Sequence, residues 1–203
     1  MDCAVQTMFV DRQDLLEMER KYGPTLRLAL DPIAMKDFEH KMLVGSMEGG
    51  RAHDVTMFIA RDGGYIGIQK PMYKDSGIFR APSGGLNPGE TIEQGVKREM
   101  LEETGLEVSI DCFPLIVNVV FTGPEGDERG WTSYVMFGHD HGGEPAPRDT
   151  KEICCVKLIT RDEMMGELCH KMMMTRWGGF IYRAMLTRAA FDALDNYKAI
   201  KGK

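Results

Sequence analysis

Residues 82–106 read PSGGLNPGETIEQGVKREMLEETGL, and the rest of the chain is organised around this stretch. Gly84 and Gly85 close one turn, Asn87-Pro88-Gly89 makes a second, and Glu90 follows at once. Thr91 with Gln94 three residues on has the capping-box pattern, so a helix is predicted from there to about Thr104. Gly105 is placed to end it in the left-handed conformation. Ile92, Val96 and Met100 form an apolar stripe along that helix, and Glu99, Glu102 and Glu103 stand at i, i+3 and i+4, on one face beside the stripe. Like charges so spaced disfavour an isolated helix by about 0.2–0.5 kcal/mol per pair, and partial burial adds a desolvation cost. Cations between the carboxylates would relieve both. Hard oxygen ligands suit Mg²⁺ or Mn²⁺, and Mg²⁺ commonly joins carboxylates to substrate phosphates.

The full pattern is Gly, five residues, Glu, seven residues, then Arg-Glu-apolar-any-Glu-Glu-any-Gly-apolar. It is filled at every fixed position by Gly84, Glu90, Arg98, Glu99, Met100, Glu102, Glu103, Gly105 and Leu106. It resembles the Nudix box. The resemblance implies an α/β fold, the Nudix-type α/β/α sandwich with a mixed sheet. It also implies divalent-metal hydrolysis of a nucleoside diphosphate linked to another moiety. By the same resemblance Glu99, Glu102 and Glu103 bind metal, Gly84 can add a backbone carbonyl, and Arg98 orients a box glutamate. Glu152 is a candidate further ligand or general base, because members of this family frequently place a glutamate at the start of a later strand.

Composition narrows the class independently. With 203 residues and 43% hydrophobic content the chain can bury one full core. A net charge of -6 offers no broad basic field for nucleic acid. No apolar run reaches the roughly 18 residues of a membrane span, and no signal-peptide layout opens the chain. The five cysteines, Cys3, Cys112, Cys154, Cys155 and Cys169, are odd in number and lack a Cys-x-x-Cys pair. That reads as reduced thiols in a cytoplasm, not as a disulfide framework or a zinc site.

The first fifty residues read as a helical N-terminal extension, with the box-bearing domain over 51–203. A strand is expected at Val5–Val10 and a helix at Asp11–Lys21, ended by Gly23-Pro24. A second helix is expected from a cap at Asp31-Pro32, carrying Ile33, Met35, Phe38 and Met42. The extension serves either as a cap on the core or as a dimer or substrate-specificity element. From His53 the pattern turns to strands: Val55–Ala60, a turn at Arg61–Gly64, then Tyr65–Gln69. His53 reads as a structural histidine or a substrate contact. Lys70 and Arg80 are local cations that can meet phosphate or serve as ordinary surface charge. After the box, Leu106–Ile110 and Phe113–Phe121 read as two strands. A polar hairpin tip over 122–130 follows, and Trp131–His139 is the partner strand. Trp131 is placed to stack on a base or to fill the core. The His139-Asp140-His141 cluster reads as a solvated turn, with metal binding as the other reading. Lys151–Ile159 is expected as a strand opened by Glu152. Thr160 with Glu163 is a second capping box, opening a helix through His170, and a long amphipathic helix runs to about Tyr197.

The mechanism implied is attack of water on a pyrophosphate held by Mg²⁺ or Mn²⁺ on the box glutamates, with a box carboxylate or Glu152 taking the proton. The expected partner is a small nucleotide or phosphorylated substrate; neither nucleic acid nor membrane is expected, and a homodimer is possible. The alternative reading is a nucleotide-metabolite sensor without turnover. Subfamily markers for ADP-ribose, diadenosine polyphosphates and coenzyme A are not in their usual places. Length and the N-terminal extension suit a nucleoside diphosphate sugar.

Overall fold

The computed structural model describes residues 10–202, and the strand expected at Val5–Val10 falls largely outside them. An eight-stranded mixed sheet forms the middle layer, in the order β1 (Leu26–Ala29), β6 (Val108–Thr122), β7 (Glu128–Asp140), β3 (His53–Arg61), β4 (Gly64–Gln69) and β8 (Cys155–Ile159), with β2 (Ile33–Ala34) beside β6 and β5 (Ser83–Gly84) beside β3. Its central strands are β3 (His53–Arg61), β6 (Val108–Thr122) and β7 (Glu128–Asp140). β3 and β7 run parallel, and β6 and β7 antiparallel. Alternation along the strands sends side chains to opposite faces. Val55, Met57, Ile59, Tyr134 and Met136 meet α3 (Ile92–Thr104), and α1 (Arg12–Tyr22) adds Met18 to the same core. Phe58, Val135 and Phe137 meet α6 (Gly178–Lys201) through Leu186, Phe191 and Leu194. The fold is an α/β/α sandwich.

The box helix begins and ends where its local chemistry dictates. Thr91 accepts from the Gln94 backbone and Gln94 returns the bond to Thr91. Gly105 closes the helix at φ 73°, donating its N–H to Leu101 O. A Cβ at Gly105 would lie 2.2 Å from the Ala146 carbonyl oxygen. Left-handed backbone at a residue with a side chain costs about 1–2 kcal/mol before any clash. Gly105→Ala is therefore expected to destabilise by about 2 kcal/mol or more. A thermal melt should show a drop of roughly 4–8 °C for a chain of this size; an unchanged midpoint would mean the 146 segment moves aside freely.

Three elements differ from the sequence reading. The second helix, α2, spans Asp37–Ser46 with its N-cap at Lys36, five residues later than the Asp31-Pro32 cap predicts. The skipped residues Ile33–Ala34 form β2, and Leu26–Ala29 form β1; both lie parallel to β6. The edge of β6 needed partners, and this outweighed a good local cap. The two strands expected at 106–121 are one, with register shifts between Ile110, Cys112 and Leu115. Pro114, which cannot donate a ladder bond, falls in this irregular stretch. The strand expected at Lys151–Ile159 is shortened to β8, Cys155–Ile159, and Glu152 lies in the turn before it. There Asp149 Oδ1 accepts from the backbone N–H groups of Lys151 and Glu152 and holds the chain in a turn.

One feature of the sheet makes room for a site. β4 (Gly64–Gln69) pairs with β3 only at Ala60↔Tyr65 and Arg61↔Gly64, then leaves to pair with β8. The freed edge of β3 is taken by β5, Ser83–Gly84, so the box loop is pinned onto the central strand. A cavity of about 370 Å³ opens beside this split.

Candidate active site

Arg98 is the hub of the acidic cluster. Its Nε and Nη2 donate to the two oxygens of Glu90, each at 2.8 Å, a paired geometry that a lysine cannot reproduce. Nη2 also reaches Gly85 O at 2.8 Å, and Nη1 reaches Glu99 at 2.9 Å and Glu102 at 3.0 Å. The Arg98 pair holds the Glu90 carboxyl below its ordinary range. The same grip ties the glycine loop to the helix.

Glu99 lies against the loop so closely that a Cβ on Gly84 would fall 1.9 Å from its carboxylate. Only glycine fits there. Burial raises the Glu99 pKa, Arg98 opposes the rise, and Glu102 and Glu152 add to it. Glu103 is buried at 2% exposure and accepts from Ser83 N at 2.7 Å through Oε2. Its Oε1 is buried without a hydrogen-bond partner, and Lys70 Nζ stands 3.9 Å away. Desolvation pushes the Glu103 carboxyl up to about 7; Arg80, Lys70 and the Ser83 bond pull the other way. Glu102, in contrast, leans out, with its side chain 48% exposed. Among the described residues no three His, Cys, Asp or Glu side chains are already gathered into a metal cage.

The residue chemistry nonetheless fits a hard divalent cation. Glu103 presents a buried oxygen with no hydrogen bond, the Glu99 charge adds to the rise in its pKa, and both are oxygen donors of the kind Mg²⁺ or Mn²⁺ accepts. Glu152, Lys70, Arg80, Glu99, Gly84 and Trp131 all line the one cavity. Glu152 is ion-paired with Lys70. Burial lowers the Lys70 pKa, as does Arg80; Glu103 and Glu152 raise it. Arg80 is buried, not surface charge, and donates to Ala81 O at 2.9 Å and Ser83 Oγ at 2.8 Å. Trp131 is buried in the core and also forms cavity wall, with the Arg51 guanidinium 5.7 Å from its ring. His53 is buried and stands apart from the cavity wall. His139 and His141 are tied to different partners, Asp111 at 2.9 Å and Ser109 at 2.8 Å, at the far end of β7. Cys112, Cys154, Cys155 and Cys169 are free thiols, and Cys3 lies outside the described residues.

Several cavity residues carry no local sequence signal. Asp54 accepts from Arg183 Nη2 at 2.6 Å and from Ser133, and Tyr182 donates to Ser133 at 2.5 Å. These groups are far apart along the chain and meet only because α6 packs over β3 and β7. Glu39 of α2 caps α6 by accepting from Gly178 N at 3.0 Å and Gly179 N at 2.9 Å. Such capping by a distant carboxylate suits a helix N-terminus but cannot be read from residues next to it.

Fold and site together define an α/β/α protein whose glycine loop and acidic helix border a mixed-charge cavity. The chain belongs to the NUDIX domain family, whose family model matches residues 51–177. It is 35% identical over 102 residues to an ADP-ribose pyrophosphatase of Methanocaldococcus jannaschii, covering 48% of this chain and 57% of that protein. It is also 35% identical over 125 residues to an RNA pyrophosphohydrolase of Erythrobacter litoralis, covering 54% of this chain and 75% of that one. The chain thus spans little more than half the length of the first of these relatives. A NUDIX hydrolase structure from Nitrosomonas europaea superposes with a TM-score of 0.54 at 20% identity, over 71% of this chain and 88% of that one, a likeness of fold.

Proposed function

We propose that this protein is a divalent-metal-dependent pyrophosphohydrolase acting on a nucleoside diphosphate linked to another moiety. The observation that supports it most is the Glu103 carboxylate, buried with one oxygen lacking a hydrogen bond 3.9 Å from Lys70 Nζ, next to a cavity lined by Lys70, Arg80, Glu99 and Glu152. Relatives named as an ADP-ribose pyrophosphatase and an RNA pyrophosphohydrolase support cleavage of a phosphoanhydride.

Glu99 and Glu103 would hold Mg²⁺ or Mn²⁺, with Glu102 released from Arg98 as a further ligand and Gly84 offering its carbonyl. Bound there, such an ion supplies positive charge to the pyrophosphate oxygens and acidity to a water. The chain's own residues do the rest. Arg98 keeps Glu90, Glu99 and the loop carbonyl in register. Lys70 and Arg80 bring positive charge toward the departing phosphate. Glu152, ion-paired with Lys70, accepts the proton of the attacking water. One P–O bond forms to water oxygen and the bond to the bridging oxygen breaks, leaving two phosphate products. We further propose a cytoplasmic setting, in keeping with the free thiols; among the described residues no helix is long and apolar enough to cross a membrane. The segment up to residue 50, whose β1 and β2 join the sheet and whose Phe38 and Met42 line the cavity, acts as a substrate-specificity element. A homodimer is compatible with this scheme.

The test is a screen of nucleotide diphosphate derivatives, including ADP-ribose and nucleoside diphosphate sugars, with and without Mg²⁺ or Mn²⁺. Metal-dependent release of a nucleoside monophosphate is expected. Saturable binding of these compounds with no product from any of them would turn the assignment to the sensor reading.

A further inference from the structure

The tandem glycines of the box loop each admit a different side chain. Neither Gly84 nor Gly85 has a positive φ, so close approach and not turn conformation is what requires them. Gly84 receives the Glu99 carboxylate. Gly85 receives Arg51: a Cβ there would lie 1.9 Å from Arg51 Nη1, 2.7 Å from its Cδ and 2.9 Å from its Cζ. The end of the arginine rests on the bare backbone of the loop. Arg51 Nε donates to Ser46 O at 2.9 Å, and its guanidinium stands 5.7 Å from the Trp131 ring. Arg98 fixes the same glycine by donating to its carbonyl at 2.8 Å. Four cations line the cavity: Arg51, Lys70, Arg80 and Arg183. Lys70 is paired with Glu152, and Arg183 with Asp54. Arg80 spends Nη1 on Ala81 O and Ser83 Oγ and faces the Glu103 charge. Among the described residues Arg51 forms no ion pair, and the bond from Nε is the one hydrogen bond its side chain makes.

We propose that Arg51, seated on Gly85, binds the substrate phosphate that the acidic helix does not hold, so that the cavity selects two linked phosphates over one. This rests on the reading of the acidic helix as the place where a phosphate is held through cations. The positions that receive Glu99 and Arg51 are consecutive in the chain, with Cα atoms about 3.8 Å apart. Two phosphates joined by one oxygen can therefore meet both. A guanidinium suits phosphate oxygens, and one whose charge is not already matched gains most from an anion. Ser46 O and Trp131 hold the side chain before anything binds, so little rotamer freedom is lost on binding. A monophosphate meets one of the two places at a time, whereas a diphosphate meets both from a single molecule. The bond that aims Arg51 comes from the last residue of α2, which lies outside the matched family region, so the seat is built by this chain's own N-terminal segment.

The experiment reads binding, not turnover. Adenosine 5′-(α,β-methylene)diphosphate, which has no bridging oxygen to cleave, and AMP are titrated calorimetrically in Mg²⁺. The wild type is expected to prefer the diphosphate by about tenfold or more. Arg51→Ala should weaken the diphosphate about tenfold, or ~1.4 kcal/mol, and leave AMP within about threefold of wild type. Gly85→Ala should do the same although Arg51 is still present, because the new Cβ displaces the flexible end of that side chain. The Arg51→Ala/Gly85→Ala double variant should bind no more weakly than either single one, since both remove one contact. Arg51→Lys, which keeps the charge, should recover part of the preference. An undiminished preference in Arg51→Ala would overturn the proposal, as would an equal loss for both ligands or losses that multiply in the double variant. A Gly85→Ala protein that keeps the wild-type preference would overturn the seat, and if that variant does not fold, Arg51→Ala and Arg51→Lys still decide. A preference lost in Arg51→Ala, in a protein that releases no product from any nucleotide diphosphate derivative, would remove the enzymatic reading and leave the Arg51 assignment standing.

Discussion

Glu103→Gln is expected to abolish turnover and to make the metal-free protein melt higher. Turnover should fall by about a hundredfold or more, roughly 2.7 kcal/mol of transition-state stabilisation, because the buried oxygen offered to a cation loses its charge. Stability moves the other way. The Glu103 carboxyl is raised from its ordinary 4.5 to about 7 in the folded chain, mainly by burial. Between those values the folded state holds a proton that the unfolded state has released. Wild-type stability therefore falls as pH rises through this window, and the full deficit is present above pH 7. Gln stands in for the protonated carboxyl and escapes the deficit. The advantage of the variant should be near zero below pH 4.5 and on the order of 2–3 kcal/mol at pH 8, several degrees in melting temperature. Mg²⁺ should narrow the gap by binding the ionised wild-type site. Melts at pH 4.5 and 8, with and without Mg²⁺, check all three points. A variant that melts lower at pH 8 would show that the carboxylate is a structural partner of Lys70 and Arg80, and would remove it from the cation site.

Arg98→Lys keeps the charge and removes the fork. A lysine ammonium has three donors on one nitrogen and cannot span Glu90, Glu99, Glu102 and Gly85 O, where Arg98 meets all four. The glycine loop would then lose its tie to the helix, and the acidic side chains their relative placement. The expected result is a loss of about a hundredfold in kcat, with KM within about threefold of wild type. The melting temperature should drop by a few degrees, in line with about 1–2 kcal/mol for lost charge-assisted hydrogen bonds. A KM effect with kcat preserved would instead place Arg98 against the substrate. Full activity would make it a purely structural tie.

The box helix was legible almost to the residue, because every signal that shapes it lies within it. Thr91 and Gln94 cap it, the 3.6-residue spacing turns Ile92, Val96 and Met100 inward, and Gly105 supplies the left-handed stop. The start of α2 was not, although Asp31-Pro32 is a sound local cap. Residues 33–34 lay down instead along β6, a partner more than eighty residues away. Lys70 and Arg80 were legible as cations, but their surroundings were not. Arg80 reads as surface charge until β4 and the box loop enclose it. The Asp54–Arg183 pair and the Glu39 cap on α6 join residues 129 and 139 to 140 positions apart, beyond the reach of any local pattern.

By itself the sequence determined the loop-helix-stop unit, the common face of its glutamates, the family resemblance and the alternation that builds a covered sheet. Each of these depends on spacing within a few turns of chain. Tertiary structure alone decided that Glu102 leans outward while Glu103 is buried, that β3 and β4 part beside a cavity, and that α2 and α6 contribute to its wall. Burial and long-range pairing set those outcomes, because desolvation and contact are properties of what surrounds a residue in space.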